Sequence, residues 1–162
     1  MNFIQFYNSP LGRITITSDG ISLTGLVFED SSTPLYQQTE SILPIFTQTK
    51  KWLDIYFDGK EPDFIPQTAF KCTEFRKEVW LSLIDIPYGK TVTYGELARQ
   101  LAEKTGKAKM SAQAIGGAVS HNPIALIIPC HRVIGSNGRL TGYAWGVERK
   151  RKLLLQEKAI PH

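Results

Sequence analysis

Cysteine is scarce in this chain of 162 residues, with only Cys72 and Cys130. Two thiols cannot form a disulfide framework, and a reducing compartment is the default for such a chain. No apolar run approaches the roughly 20 residues that a membrane helix needs. The first ten residues hold no Lys or Arg, so no secretory signal is expected. Internal repeats and low-complexity tracts are also missing. Histidine is nearly as rare as cysteine. His121, His131 and His162 show no metal-ligand spacing with each other or with the cysteines, so no metal is expected. Apolar residues, by contrast, make up 42% of the chain, enough for a core, and wholesale disorder is excluded. The length fits one ordinary domain or two small ones.

The net charge of +4 hides an asymmetry. Residues 1–70 hold four basic and eight acidic residues, a net of −4, and residues 71–162 hold fifteen and seven, a net of +8. A basic half suggests contact with a polyanion, although on charge alone a basic solvated surface is slightly the better reading.

Residue patterns change at the same place. Phe3–Tyr7, Arg13–Thr17 and Ile21–Phe28 read as three strands of an antiparallel meander, with Ile14 and Ile16 inward and Asp19-Gly20 as a turn. Thr49–Phe57 reads as a helix, and residues 61–68, with two prolines, as a linker. Beyond it, Phe75, Val79 and Leu83 mark an amphipathic helix ended by Pro87-Tyr88-Gly89. Thr93 and Glu96 have the spacing of a capping box, followed by a stripe of Leu97, Ala98, Leu101 and Ala102. A basic loop over 104–109 leads to a short helix over 111–119. Gly116 and Gly117 weaken that helix by about 1 kcal/mol each against Ala. A close approach of another surface would justify them. Helix, loop and small-residue helix together suggest a helix-turn-helix. Val147–Lys158 reads as a closing basic helix with Leu153, Leu154 and Leu155 toward the core.

Cys130 and His131 form the chain's one Cys-His neighbour pair. A free thiol is mostly protonated at neutral pH, and an imidazole that takes its proton makes the nucleophile. A carboxylate on the far ring nitrogen would fix the tautomer, and Glu157 and Glu148 are both candidates. An isolated Cys-His pair is more often structural. Here it follows a buried run and a proline and precedes a glycine-rich loop, the setting of many active-site residues. Cys72 has no such setting and reads as structural.

The segment Ile128-Pro129-Cys130-His131-Arg132-Val133 resembles the signature of the O6-alkylguanine-DNA alkyltransferase family, also called methylated-DNA–protein-cysteine methyltransferases. Residues 86–96, Gly116-Gly117-Ala118, Asn122-Pro123 and Thr141-Gly142-Tyr143 are similar to family segments in the same order. The resemblance implies an α+β fold. Residues 1–70 would form a small ribonuclease-like supporting domain with an antiparallel sheet. Residues 71–162 would form a mostly helical, winged-helix-like DNA-binding and catalytic domain.

It also implies roles. Cys130 would accept an alkyl group from O6 of guanine, possibly also from O4 of thymine, irreversibly and once per molecule. His131 would deprotonate it through a water, Glu157 would orient His131, and Asn122 would brace the turn before the site. Tyr94 would donate a proton toward N3 of the departing guanine. Val133, Tyr143, Ala144 and Trp145 would line the base pocket, with Trp145 disfavouring large alkyl groups. Arg132 would be structural. Ala112, Gln113, Ala114, Gly116 and Gly117 would enter the minor groove, and Lys104, Lys107 and Lys109 would meet phosphates. Many members carry arginine where this chain has Gln113, so weaker duplex affinity with flipping retained is expected. The implied partner is double-stranded DNA carrying O6-alkylguanine. The implied protein is a cytoplasmic monomer with no cofactor and no membrane contact. Two alternatives compete: a lesion-binding relative without chemistry, which would lack Cys130, and an unrelated cysteine hydrolase, which leaves the small-residue helix unexplained.

Overall fold

The computed structural model describes residues 2–31, 33–34, 36–107 and 110–161. Lys109 and His162 lie outside the described residues. The chain forms two compact units. One is the chain up to Lys71 with Pro123–Ala125, and the other is Cys72–Asn122 with the chain from Leu126 onward. The whole is a mixed α/β protein, with the antiparallel sheet in the first unit and most helices in the second.

The first unit is built on a meander of β1 (Phe3–Ser9), β2 (Gly12–Ser18) and β3 (Leu23–Phe28) in sequential order. Ile14 and Ile16 are fully buried. Thr15, between them, is buried as well and gives its hydroxyl to Glu29 Oε1 at 2.8 Å. Strand β3 starts later than its β-branched residues suggest. Asp19 Oδ1 accepts from the Ile21 and Ser22 N–H groups at 2.9 and 2.8 Å, which holds them in a turn and leaves Ile21 exposed. Helix α1 (Pro44–Phe57) begins five residues before the expected start. Pro44 sits in its first turn, where a missing N–H costs nothing, and Ile45 and Phe46 extend the buried stripe of Thr49, Trp52, Leu53 and Tyr56. The expected linker is not wholly free. Leu23 N–H donates to Gln67 O at 2.8 Å, and Ala69 N–H donates to Leu23 O at 2.9 Å.

In the second unit, α2 (Glu74–Ile84) starts at an N-cap Thr73 that accepts from Arg76 N–H. It buries Val79, Trp80 and Leu83, and Trp80 Nε1 donates to Ala118 O at 2.8 Å. Helix α3 (Tyr94–Thr105) is capped by Thr93, whose Oγ1 accepts from Glu96 N–H at 3.1 Å. The Glu96 carboxylate accepts from the Thr93 hydroxyl, a variation on the reciprocal bond of a capping box. All four residues of the expected stripe are buried. Helix α4 (Ala112–Ser120) is capped by Ser111 and buries Ile115, Ala118 and Val119. Helices α2, α3 and α4 pack on one another, and α3, loop and α4 make the helix-turn-helix. The apolar run 125–128 forms a turn, with Leu126 in the left-handed region at φ 69°. Short strands β4 (Val92–Thr93) and β5 (Val133–Ile134) pair in parallel. Helix α5 (Val147–Gln156) ends two residues early because Glu157 is its C-cap; Leu153 and Leu154 are buried and Leu155 only half-buried. Among the described residues no helix is long and apolar enough to cross a membrane.

Candidate active site

Cys130, His131 and Arg132 share one turn of 3-10 helix between the 125–128 turn and β5. All three are buried. Asn122 fixes the entry to this turn. Its Nδ2 donates to Ile128 O at 2.7 Å, and its amide also hydrogen-bonds the Cys130 thiol. Burial pushes the thiol up to about 11, against the lowering effect of Asn122 and of the Lys150 charge. At rest Cys130 is therefore a protonated thiol.

Glu157 is the centre of the polar network, and Glu148 is not part of it: Glu148 is exposed and faces Arg151 at 3.8 Å. Glu157 Oε2 lies 2.6 Å from His131 Nε2, and Oε1 accepts from Arg132 Nε at 2.8 Å and Gly89 N–H at 3.3 Å. Burial raises its carboxyl, but the contacts with His131 and Arg132 outweigh that and hold it down to about 2. Burial likewise lowers His131, against the raising effect of Glu157. The consistent state is a neutral imidazole that donates Nε2–H to a carboxylate. This leaves Nδ1 as the acceptor, and Nδ1 is buried without a hydrogen-bond partner among the described residues. Arg132 also donates to Ile86 O at 2.7 Å, so it ties the turn to the segment after α2.

Around the thiol, Tyr94 is half-buried at the start of α3, and burial keeps its hydroxyl protonated. Tyr143 is buried, its hydroxyl without a partner among the described residues, its ring edge-on to Trp145 at 5.3 Å. Val133 is buried on β5, Trp145 is half-buried and Ala144 is exposed. An open cleft of about 460 Å³ lies beside these residues, lined by Tyr94, Ala112, Gln113, Gly116, Ser120, Thr141 and Gly142. Gly142 has φ +68°, and a Cβ there would come within 3.3 Å of the Tyr94 hydroxyl. The positive φ and the tight contact together favour glycine there.

Helix α4 turns Ala112, Gln113, Ala114 and Gly117 to the surface, with Gly116 half-buried. A Cβ on Gly116 or Gly117 would meet nothing within 4 Å, so no contact inside the chain accounts for them. Lys104 and Lys107 are exposed. Among the described residues no group of three His, Cys, Asp or Glu side chains is arranged to hold a metal.

Lys150, fully buried on α5, and the cleft residues Ser120, Thr141 and Gly142 are not among the site residues expected from the sequence. A signal for Lys150 existed. It stands three and four residues before Leu153 and Leu154 and seven before Glu157, on the buried face of its helix.

Comparison with known proteins agrees with this architecture. Residues 2–67 match the ribonuclease-like domain of 6-O-methylguanine DNA methyltransferase, and residues 74–159 match its DNA binding domain. The chain belongs to this family. It is 40% identical over 153 residues to a methylated-DNA–protein-cysteine methyltransferase of Mycobacterium tuberculosis, covering 94% of this chain and 90% of that protein. A protein of the same name from Haemophilus influenzae is 39% identical, with 99% and 88% covered. A crystal structure of M. tuberculosis OGT in complex with DNA superposes with a TM-score of 0.84 at 38% identity, covering 97% of this chain and 93% of that one.

Proposed function

We propose that this chain repairs O6-alkylguanine in DNA by moving the alkyl group onto its own Cys130. The observation that carries the proposal is the buried pairing of His131 Nε2 with Glu157 at 2.6 Å beside the thiol, since it turns the Nδ1 lone pair into an available base.

The Cys130 proton passes to His131 Nδ1, by way of a water molecule. This transfer is uphill at rest, because burial raises the thiol and lowers the imidazole. The Glu157 carboxylate stabilises the imidazolium as it forms. The thiolate attacks the alkyl carbon, an S–C bond forms, and the C–O6 bond breaks with its electron pair on guanine. The Tyr94 hydroxyl supplies a proton toward N3 of the leaving purine and so lowers the barrier. The thioether has no leaving path, so each molecule acts once.

O6 is out of reach inside a duplex, and the base must be flipped into the site. The open space over Gly116 and Gly117 lets the α4 backbone approach a groove, with Ala112, Gln113 and Ala114 on the same exposed stretch. Lys104, Lys107 and, by sequence, Lys109 supply phosphate contacts that carry affinity but no base preference. Val133, Tyr143, Ala144 and Trp145 would receive the base. A nucleophile that must stay reduced fits work in the cytoplasm.

The test is an intact-mass measurement after incubation with duplex DNA carrying O6-methylguanine. The expected result is a gain of one methylene, one per lesion consumed and lost in Cys130→Ser. Binding without a mass change, or repeated turnover, would overturn the proposal.

A further inference from the structure

We propose that Lys150 is a positioning residue for this reaction: its buried ammonium group pins the backbone on both sides of the glycine-rich loop beside Cys130 and places a positive charge near the forming thiolate. The inference rests on the alkyl-transfer reading above and assigns a residue that reading does not use.

The geometry is specific. Lys150 is 0% exposed, a rare state for lysine. Its Nζ donates to Val133 O at 2.5 Å and to Thr141 O at 2.9 Å. Val133 directly follows the turn that carries Cys130 and pairs with Val92, two residues before Tyr94. Thr141 precedes Gly142, which packs on the Tyr94 hydroxyl. One ammonium group thus ties together the segments that hold the nucleophile, the proton donor and the cleft wall. A neutral side chain would hold two carbonyls without the desolvation cost of a buried charge, so the charge itself calls for a role.

The thiol supplies one. It feels Lys150 from α5, and it couples to Tyr94 on α3 and Tyr143 in the loop. His131 in the same turn feels Glu157, Arg132 and Lys150. The Glu157 charge is balanced by Arg132, which leaves Lys150 as the cation that acts on the thiol among the described residues. Burial lowers Lys150 to about 8, against the raising effect of Cys130, so the ammonium form prevails at neutral pH.

Lys150→Met keeps the aliphatic stem and removes the charge, and Lys150→Arg keeps a charge. Two rates and one affinity separate the outcomes. Modification of Cys130 by iodoacetamide as a function of pH needs no DNA, so it reads the thiol even if the alkyl-transfer reading fails. Methyl transfer and duplex affinity follow. For Lys150→Met the expected result is a thiol midpoint moved to higher pH, methyl transfer slowed at least tenfold, and duplex affinity within twofold. Lys150→Arg should recover the midpoint. An unmoved midpoint in folded Lys150→Met would overturn the proposal. If that variant does not fold, a Lys150→Arg midpoint that rises above the wild-type value although the charge is kept would overturn it equally. A wild type that reacts with iodoacetamide in the expected pH range but gains no methyl group would instead defeat the functional reading.

Discussion

The two units bury polar groups of different kinds. Among the described residues of the first, the buried polar ones are Gln5, Thr15, Ser18, Ser22 and Thr49, all neutral. In the second they are Asn122, His131, Arg132, Lys150 and Glu157, four of them ionisable. The neutral set uses hydrogen bonds of both short and long sequence separation. Ser18 Oγ donates to Ser22 O at 2.6 Å, and Gln5 bonds Thr39. Such bonds each contribute about 1 kcal/mol and place little at risk. In the ionisable set His131 and Arg132 are held by Glu157, Lys150 is held by backbone carbonyls, and an unpaired buried charge is costly. The first unit is organised for stability, and the second keeps a charge network whose value lies in chemistry.

The largest expected difference between the units follows from removing one carboxylate in each. Glu157→Gln leaves Arg132 and His131 without their shared anion, and loss of a buried partner costs about 3–5 kcal/mol. Glu29→Gln breaks the Arg13 pair, whose side chains are 46% and 22% exposed, and pairs of that kind contribute at most about 1 kcal/mol. Urea denaturation of both variants checks the contrast. Equal losses would mean that the buried network is not special. Methyl transfer should fall steeply in Glu157→Gln and stay unchanged in Glu29→Gln.

Why the sequence disclosed so much of one unit's chemistry and so little of its wiring is visible in particular residues. The capping Thr93, the α3 stripe and the adjacent Cys130 and His131 are local patterns, and the chain prints them in order. Glu157 lies 26 positions from His131, and only resemblance could choose it over Glu148. Lys150 was hidden for a different reason. It stands in the run Arg149–Lys152, which reads as a solvated basic face, and only its phase with Leu153 and Leu154 marks it as buried. The start of α1 was hidden by Pro44, which breaks a helix everywhere except its first turn.

Protonation offers a second, smaller contrast. Both His131 and Glu157 are lowered in the folded state, so the unfolded chain binds more protons as the pH falls. Their stabilisation is complete above the ordinary histidine value of about 6.5. The His131 contribution is lost first as pH falls below that value, and the Glu157 contribution is lost between about 4.5 and its folded value of about 2. In the first unit the large shift is that of Tyr7, raised by partial burial and by Asp54, so its contribution is lost only above about pH 10. The denaturation midpoint should therefore drop between pH 7 and 5, and His131→Gln should flatten that drop. An equally steep drop in the variant would place the acid sensitivity elsewhere.

The smallest effects come from two glycines, and their signs should be opposite. In the first unit, a Cβ on Gly25 would fall on Thr17 Oγ1, so the glycine answers a contact inside its own sheet. Gly25→Ala should destabilise by about 1 kcal/mol or more through overpacking. In the second, a Cβ on Gly117 meets nothing within 4 Å, and the helical backbone prefers alanine. Gly117→Ala should stabilise by about 0.5–1 kcal/mol. If the open face of α4 is where DNA approaches, the same methyl group should weaken duplex binding several-fold while leaving the iodoacetamide reactivity of Cys130 untouched. Thermal melts and duplex titrations measure the two effects separately. A Gly117→Ala protein that is both more stable and equally good at binding would remove the physical reason for a glycine pair in the middle of that helix.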